Sequence, residues 1–331
     1  MRDDSTYVPR LAVYGDMGNS NARSLPYLQQ EAQKSTLDAI LHVGQSPKVF
    51  DTDNARVGDE FMRQLEPVAA YIPYMVCVGN HENAYNFSHY RKRFTMPVAG
   101  GDGEANNQPI ERSDHGSEGM WFSWNIGKAH VISFSTEVYY YSVTRENIKA
   151  QYDWLDKDLT EANQPINREK RPWIIVMGHK PMYCSNTGGF CNDPNDPVRV
   201  GIKVFNKSLE ELFYKHGVDL EFYAHEHSYE RMWPIYKHKI CNGSYDKPYM
   251  NPRAPVHIVT GSAGNREGQS KFIPSERSAF HTDDFGYTRM IVQNASHLYL
   301  EEMSVNKGGA ILDKIWIVKD KHGTGIYDCH I

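Results

Sequence analysis

Two histidines stand two residues apart in Tyr223-Ala224-His225-Glu226-His227, at the end of an apolar run that starts at Val218. Imidazole is the commonest neutral metal ligand, and an isolated pair of this kind is more often a hydrogen-bonded surface feature. Three other stretches change that balance. Asp16 stands in Gly15-Asp16-Met17-Gly18, Asn80 and His81 in Gly79-Asn80-His81-Glu82, and His179 follows Gly178. Each follows a short apolar run, which is where a strand would end. One carboxylate, one amide oxygen and three imidazoles form a mixed oxygen and nitrogen set. That set suits zinc, iron or manganese better than calcium or magnesium, which prefer all-oxygen shells. Five ligands exceed the four of a tetrahedral zinc, so the natural reading is two metals, which in hydrolases lie about 3.5–4 Å apart. His81, beside Asn80, is placed to donate a proton or hydrogen bond to a phosphate oxygen.

The elements that must position these groups alternate. Leu11–Tyr14, Asp38–Val43, Tyr74–Val78, Trp173–Met177, the run into His225 and Val256–Thr260 read as strands. Helices are expected over Leu25–Thr36, around Val57, Phe61, Leu65 and Val68, around Ile148, Tyr152, Leu155 and Leu159, and around Leu209, Leu212, Phe213 and His216. Trp121–Trp124 and Ala129–Ser135 read as an antiparallel pair, and residues 98–119 as a surface loop. Strand and helix in alternation point to an α/β core, in which ligands bind beyond the carboxyl ends of the strands.

Composition bounds the partners. With a formal charge of −5 over 331 residues, no basic face for nucleic acid is expected. No apolar run approaches the roughly 20 residues that span a membrane, and Met1-Arg2-Asp3-Asp4-Ser5 opens no signal peptide. Sequons at Asn86, Asn206, Asn242 and Asn294 nevertheless suggest a secretory origin. So do Cys184 and Cys191, which bracket a loop that a disulfide can close, whereas Cys77, Cys241 and Cys329 show no obvious partners.

Gly15-Asp16-Met17-Gly18, Gly79-Asn80-His81-Glu82, Gly178-His179 and Ala224-His225-Glu226-His227 resemble the ordered motifs of calcineurin-like metallophosphoesterases. More narrowly, with Asp51 to Asp59, Tyr223 to Trp233 and Gly261-Ser262-Ala263-Gly264, the chain resembles a purple acid phosphatase of the animal, plant-like, high-molecular-weight kind, from about Arg10 to Val318. The resemblance implies an α/β sandwich of two mixed β-sheets flanked by helices, with a catalytic core over residues 1–250 and residues 251–331 as the C-terminal part of the same domain. It implies an acid phosphatase hydrolysing small-molecule phosphomonoesters, secreted or lysosomal. A ferric ion would be held by Asp16 and His227. A divalent zinc, iron or manganese would be held by Asn80, His179 and His225. His81 would contact phosphate and assist the leaving group. The family also carries a signal peptide and an N-terminal fibronectin-like domain. Neither is recognisable in these 331 residues, so a truncated product or an imperfect gene model is expected.

One motif departs from the family. Where the family has Gly-Asp-x-x-Tyr, its Asp bridging the metals and its Tyr binding the ferric ion, this chain has Gly44-Gln45-Ser46-Pro47-Lys48. Gln45 offers a neutral amide oxygen in place of an anion, and protonated Lys48 offers no acceptor. A unit charge 4 Å from a divalent ion feels roughly 8 kcal/mol even at an effective dielectric near 20. The expectation is therefore an impaired phosphatase, with Asp51 or Asp53 as substitute bridges. A catalytically inactive binding protein and a single-metal hydrolase of another ester are the alternatives. Substrate identity and oligomeric state stay open.

Overall fold

In β1 (Arg10–Tyr14), Leu11 and Val13 point to one face and Ala12 and Tyr14 to the other, and none of the four is exposed. A strand buried on both faces must be covered on both, and the rest of the chain supplies those covers. The structure, a computed structural model, describes residues 6–44, 50–97, 119–141, 145–187, 190–202 and 207–329.

After β1 come α1 (Leu25–Gln33), β2 (Ala39–Val43), α2 (Arg56–Ala69), β3 (Tyr74–Cys77) and α3 (Ala84–Arg93). The pair β4 (Phe122–Ile126) and β5 (Ala129–Ser133) leads through α4 (Val138–Tyr141), α5 (Arg145–Ala162) and α6 (Pro165–Lys170) to β6 (Trp173–Met177). Then follow α7 (Pro197–Val200), α8 (Leu209–Lys215), β7 (Leu220–Tyr223), β8 (Tyr229–Met232), the short pair β9 (Ile235–Tyr236) and β10 (Lys239–Ile240), and β11 (Val256–Thr260). Four strands close the chain: β12 (Ser278–Thr282), β13 (Gly286–Val292), β14 (His297–Ser304) and β15 (Ala310–Val318).

Two mixed sheets result. The first runs β15-β14-β13-β1-β2-β3 and the second β12-β8-β11-β7-β6-β5-β4. β1, β2 and β3 are parallel, as are β5, β6, β7 and β11. Leu11, Val13, Leu41 and Val43 of the first sheet meet Ile175, Met177, Phe222 and Ile258 of the second in a core between the sheets. The outer face of the first sheet carries Ala12, Tyr14 and Ile40 under Leu28 of α1 and Phe61, Leu65 and Val68 of α2. The outer face of the second carries Ile174 and Val176 under Leu155 and Leu159 of α5 and Leu212 and Phe213 of α8. This is the expected sandwich of two mixed sheets between helical layers. Arg231 of β8 grips Asp313 of β15 with two hydrogen bonds, Nε to Oδ2 at 2.7 Å and Nη2 to Oδ1 at 2.9 Å, tying the sheets together at one flank.

Three departures from the sequence reading have physical causes. The first helix stops at Gln33 because Ser35 turns left-handed at φ 52°. The last three strands, absent from the strand list drawn from the sequence, add to β1 through β13. Cys241 and Cys329, without obvious partners in sequence, are joined by a disulfide across 88 residues, beside the expected Cys184–Cys191 bridge. Cys77 is free and buried. Gln45, Lys48 and, apart from Gly119, the loop over residues 98–119 lie outside the described residues.

Candidate metal centre

The parallel strands of both sheets end at the same place. Asp16 follows β1, Asn80 follows β3, His179 follows β6, and His225 and His227 follow β7. Asn80 Oδ1 lies 2.7 Å from His179 Nε2 and 3.2 Å from His225 Nδ1, and those two nitrogens are 3.3 Å apart. Asp16 Oδ1 lies 3.8 Å from His227 Nε2 and 4.0 Å from His179 Nε2, so one carboxylate faces both histidines.

Local backbone geometry makes this convergence possible. Asp16 and His225 are both left-handed, at φ 55° and 67°. Such a conformation costs a non-glycine residue about 1–2 kcal/mol and persists where surrounding contacts over-determine it. Here the two strained residues hold each other, the His225 N–H donating to Asp16 Oδ2 at 2.6 Å. Gly44, at φ 76°, ends β2 directly under the His179 ring; a Cβ there would stand 1.9 Å from Nδ1. Asn80 and His81 sit on a 3₁₀ turn over Asn80–Glu82, where the buried Glu82 carboxylate accepts the Gly79 N–H at 2.7 Å.

The donor set fits a metal. His179 Nδ1 faces Val43 O at 3.4 Å, and His227 Nδ1 faces Gly268 O at 3.0 Å. Carbonyls on Nδ1 leave the Nε2 lone pairs of both rings free to bind a cation. Ligand bonds of 2.0–2.1 Å in a tetrahedron put neighbouring donors about 3.3–3.4 Å apart, close to the spacing of His179, His225 and Asn80. Burial works in the same direction. It holds His179 well below the usual imidazole range and, with Lys180 adding to it, His225 at about 3; it lowers His227 as well. All three rings are thereby neutral, the form that binds metal. Burial also pushes Asp16 well above the carboxylate range, against the His225 N–H that favours its charge. A bound cation reverses that shift.

His81 is a partly buried ring beside Asn80, its Nε2 3.8 Å from Glu267 Oε2. Of the substitute bridges considered for Gln45, Asp53 faces solvent and pairs with Arg56 at 3.6 Å. Cys184, Cys191 and Glu226 also gather within 4.8 Å of one another, but the sulfurs are bonded to each other and offer no thiolate. The sequence reading missed the contribution of Asn265 to Ser270. Gly268 meets His227, and the Asn265 side chain donates to Asp16 O at 3.1 Å. The signal in the sequence was the run of glycines and polar residues from Gly261 to Gly268, which reads only as a loop.

Residues 9–229 match the calcineurin-like phosphoesterase family, and residues 254–314 match the iron/zinc purple acid phosphatase-like protein C family. The chain is 51% identical over 325 residues to acid phosphatase type 7 of Danio rerio, covering 96% of this chain and 70% of that relative. It is 47% identical over 331 residues to acid phosphatase type 7 of Homo sapiens, covering 99% of this chain and 71% of that relative. Among solved structures, purple acid phosphatase PPD1 from yellow lupin (Lupinus luteus) seeds superposes with a TM-score of 0.75 at 23% identity, over 100% of this chain and 58% of that one, a likeness of fold. The matched families, the vertebrate relatives and the sandwich itself agree: the chain belongs to the purple acid phosphatases of the calcineurin-like phosphoesterase family, phosphatases built around a dinuclear metal centre.

Proposed function

We propose that this chain hydrolyses small-molecule phosphomonoesters at acidic pH, with Asp16 and His227 holding iron and Asn80, His179 and His225 holding zinc, iron or manganese. The observation that carries this reading is the convergence of those donor atoms at the ends of two sheets. When bound, the cations supply Lewis-acid stabilisation of phosphoryl oxygens and lower the pKa of water at the site. The chain's own residues do the rest. Depressed histidine pKa values keep the imidazoles in their ligating form in acid, His225 down to about pH 3. The carbonyls of Val43 and Gly268 fix which ring nitrogen faces the centre. His81, beside Asn80, binds a phosphoryl oxygen and gives a proton to the leaving alkoxide. Two disulfides support a secreted or lysosomal setting. Among the described residues no helix is long and apolar enough to cross a membrane.

Gln45 and Lys48 favour reduced activity and give a second reading, a binding protein that keeps the fold without the chemistry. Both are tested by metal content and by p-nitrophenyl phosphate hydrolysis in the parent and in Gln45→Asp/Lys48→Tyr. Two metals per chain with turnover in the parent support the enzyme. One or none, with both restored only in the double variant, supports the second reading. A parent as fast as the double variant shows that Gln45 and Lys48 do not impair the site.

A further inference from the structure

The segment Asn265–Ser270 contributes no candidate ligand, yet it touches three of the site residues. The Asn265 side chain, 2% exposed, donates through Nδ2 to the backbone carbonyl of Asp16 at 3.1 Å, and its Oδ1 accepts the Glu267 N–H at 2.8 Å. That second bond turns the chain so that Glu267 comes within 3.8 Å of His81. One residue on, the Gly268 carbonyl meets His227 Nδ1 at 3.0 Å. Ser270 then brackets the same histidine from both sides of its peptide, Oγ accepting the His227 N–H at 2.9 Å and the Ser270 N–H reaching the His227 carbonyl at 3.2 Å. The segment is anchored from outside by Asn21, whose Nδ2 donates to the Asn265 carbonyl at 2.7 Å, and by the Gly18 N–H on the Gly264 carbonyl at 2.9 Å.

We propose that Asn265 is a positioning residue of the metal centre: it fixes the left-handed backbone of Asp16 and sets the strap that presents the Gly268 carbonyl to His227, so that both ligands of one ion are oriented by a single buried amide. This rests on the two-metal reading above. The physical basis is that a buried amide with both ends used has one low-energy orientation. Partners of this kind, which orient a ligand without binding the ion, are worth 10–100-fold in metal affinity. Because the strap leaves Asn80, His179 and His225 untouched, the effect falls on one half of the centre.

The test is chelator competition with Zn²⁺ on the full chain, comparing the parent with His227→Ala, Asn265→Ala and Asn265→Asp. Asn265→Asp is isosteric and keeps the acceptor for the Glu267 N–H while losing the donor to Asp16, so it preserves packing where Asn265→Ala fails to fold. The ion lost in His227→Ala is expected to bind at least tenfold more weakly in Asn265→Asp. The other ion keeps its affinity, and the metal-free variant stays folded at the assay temperature although its melting temperature falls. Adding Asn265→Asp to His227→Ala is expected to cause no further loss. Unchanged affinity of the His227-dependent ion in Asn265→Asp, or equal weakening of both ions, overturns the positioning role. A parent with no His227-dependent ion overturns the metal reading at that half, a result distinct from the first two.

Discussion

Replacing Gly44 with alanine puts the geometry of the centre under direct strain. The residue sits at φ 76°, where a side chain costs about 1–2 kcal/mol. The added Cβ would lie 1.9 Å from His179 Nδ1, 2.6 Å from Cγ and 2.8 Å from Cε1. Ordinary contact needs about 3.5 Å, so an overlap of about 1.6 Å must be relieved. The ring is fully buried and held near Asn80 and His225, so it cannot swing into solvent. Relief therefore comes from shifting the ring or the end of β2, at about 1–3 kcal/mol for an overpacked site. The total is about 2–5 kcal/mol of stability. A shift of His179 Nε2 by about 1 Å takes it out of register with Asn80 Oδ1 and lowers turnover about 10²-fold. Zn²⁺ affinity by chelator competition, melting temperature and p-nitrophenyl phosphate turnover measure the three effects. A Gly44→Ala protein with parental metal affinity and rate would refute the claim that His179 acts from this position.

Three further outcomes follow from other parts of the molecule. His81→Ala is expected to lower kcat about 10²-fold, with a larger deficit for phenyl phosphate than for p-nitrophenyl phosphate; an equal deficit on both removes His81 from proton donation. Cys241→Ser/Cys329→Ser opens an 88-residue loop and is expected to cost about 4.6 kcal/mol, against about 2.4 kcal/mol for the seven-residue loop of Cys184→Ser/Cys191→Ser, so denaturant melts should rank the first pair as the more damaging. Burial pushes the carboxyl groups of Glu221 and Glu302 up to about 8. Each is protonated in the folded chain where the unfolded chain has lost its proton. Their contribution is therefore complete below the unfolded value near 4.5 and is lost as pH rises toward 8, at about 1.4 kcal/mol per pH unit for each group. Thermal melts from acid to neutral pH should show falling stability, and Glu221→Gln should flatten the slope; a steeper slope in that variant contradicts the assignment.

What could be read from the sequence follows the physics of each signal. The position of Asp16, Asn80, His179, His225 and His227 at strand ends was legible because glycines and apolar runs mark such ends, and strand ends converge in α/β sheets. β1, β2, β6 and β11 were legible for the same reason, as continuous apolar runs buried on both faces. β13 to β15 interrupt their apolar residues with charged ones, as in Arg289, Glu301, Glu302, Asp313 and Lys314, and Glu301, Glu302 and Asp313 are buried all the same. No clean period identifies such strands. Cys241 and Cys329 are brought together by tertiary packing that spacing alone does not contain. Asn265, Gly268 and Ser270 act through hydrogen bonds to residues far away in sequence, and nothing local distinguishes them from a polar turn.

The place of β1 in the first sheet has a consequence for how the protein comes to be made. This strand carries Asp16 at its end and lies between β2, its early neighbour, and β13, which starts about 270 residues later in the chain. A ribosome adding about 5–20 residues per second delivers β13 roughly 15–55 s after β1. Throughout that interval one hydrogen-bonding edge of β1 has no strand to pair with, and an open apolar edge is a template for association with other chains. The candidate ligands are likewise written about 200 residues apart, from Asp16 to His225 and His227. The candidate ligand set is therefore complete only late in synthesis, and until then the open edge of β1 is exposed to pairing with other chains.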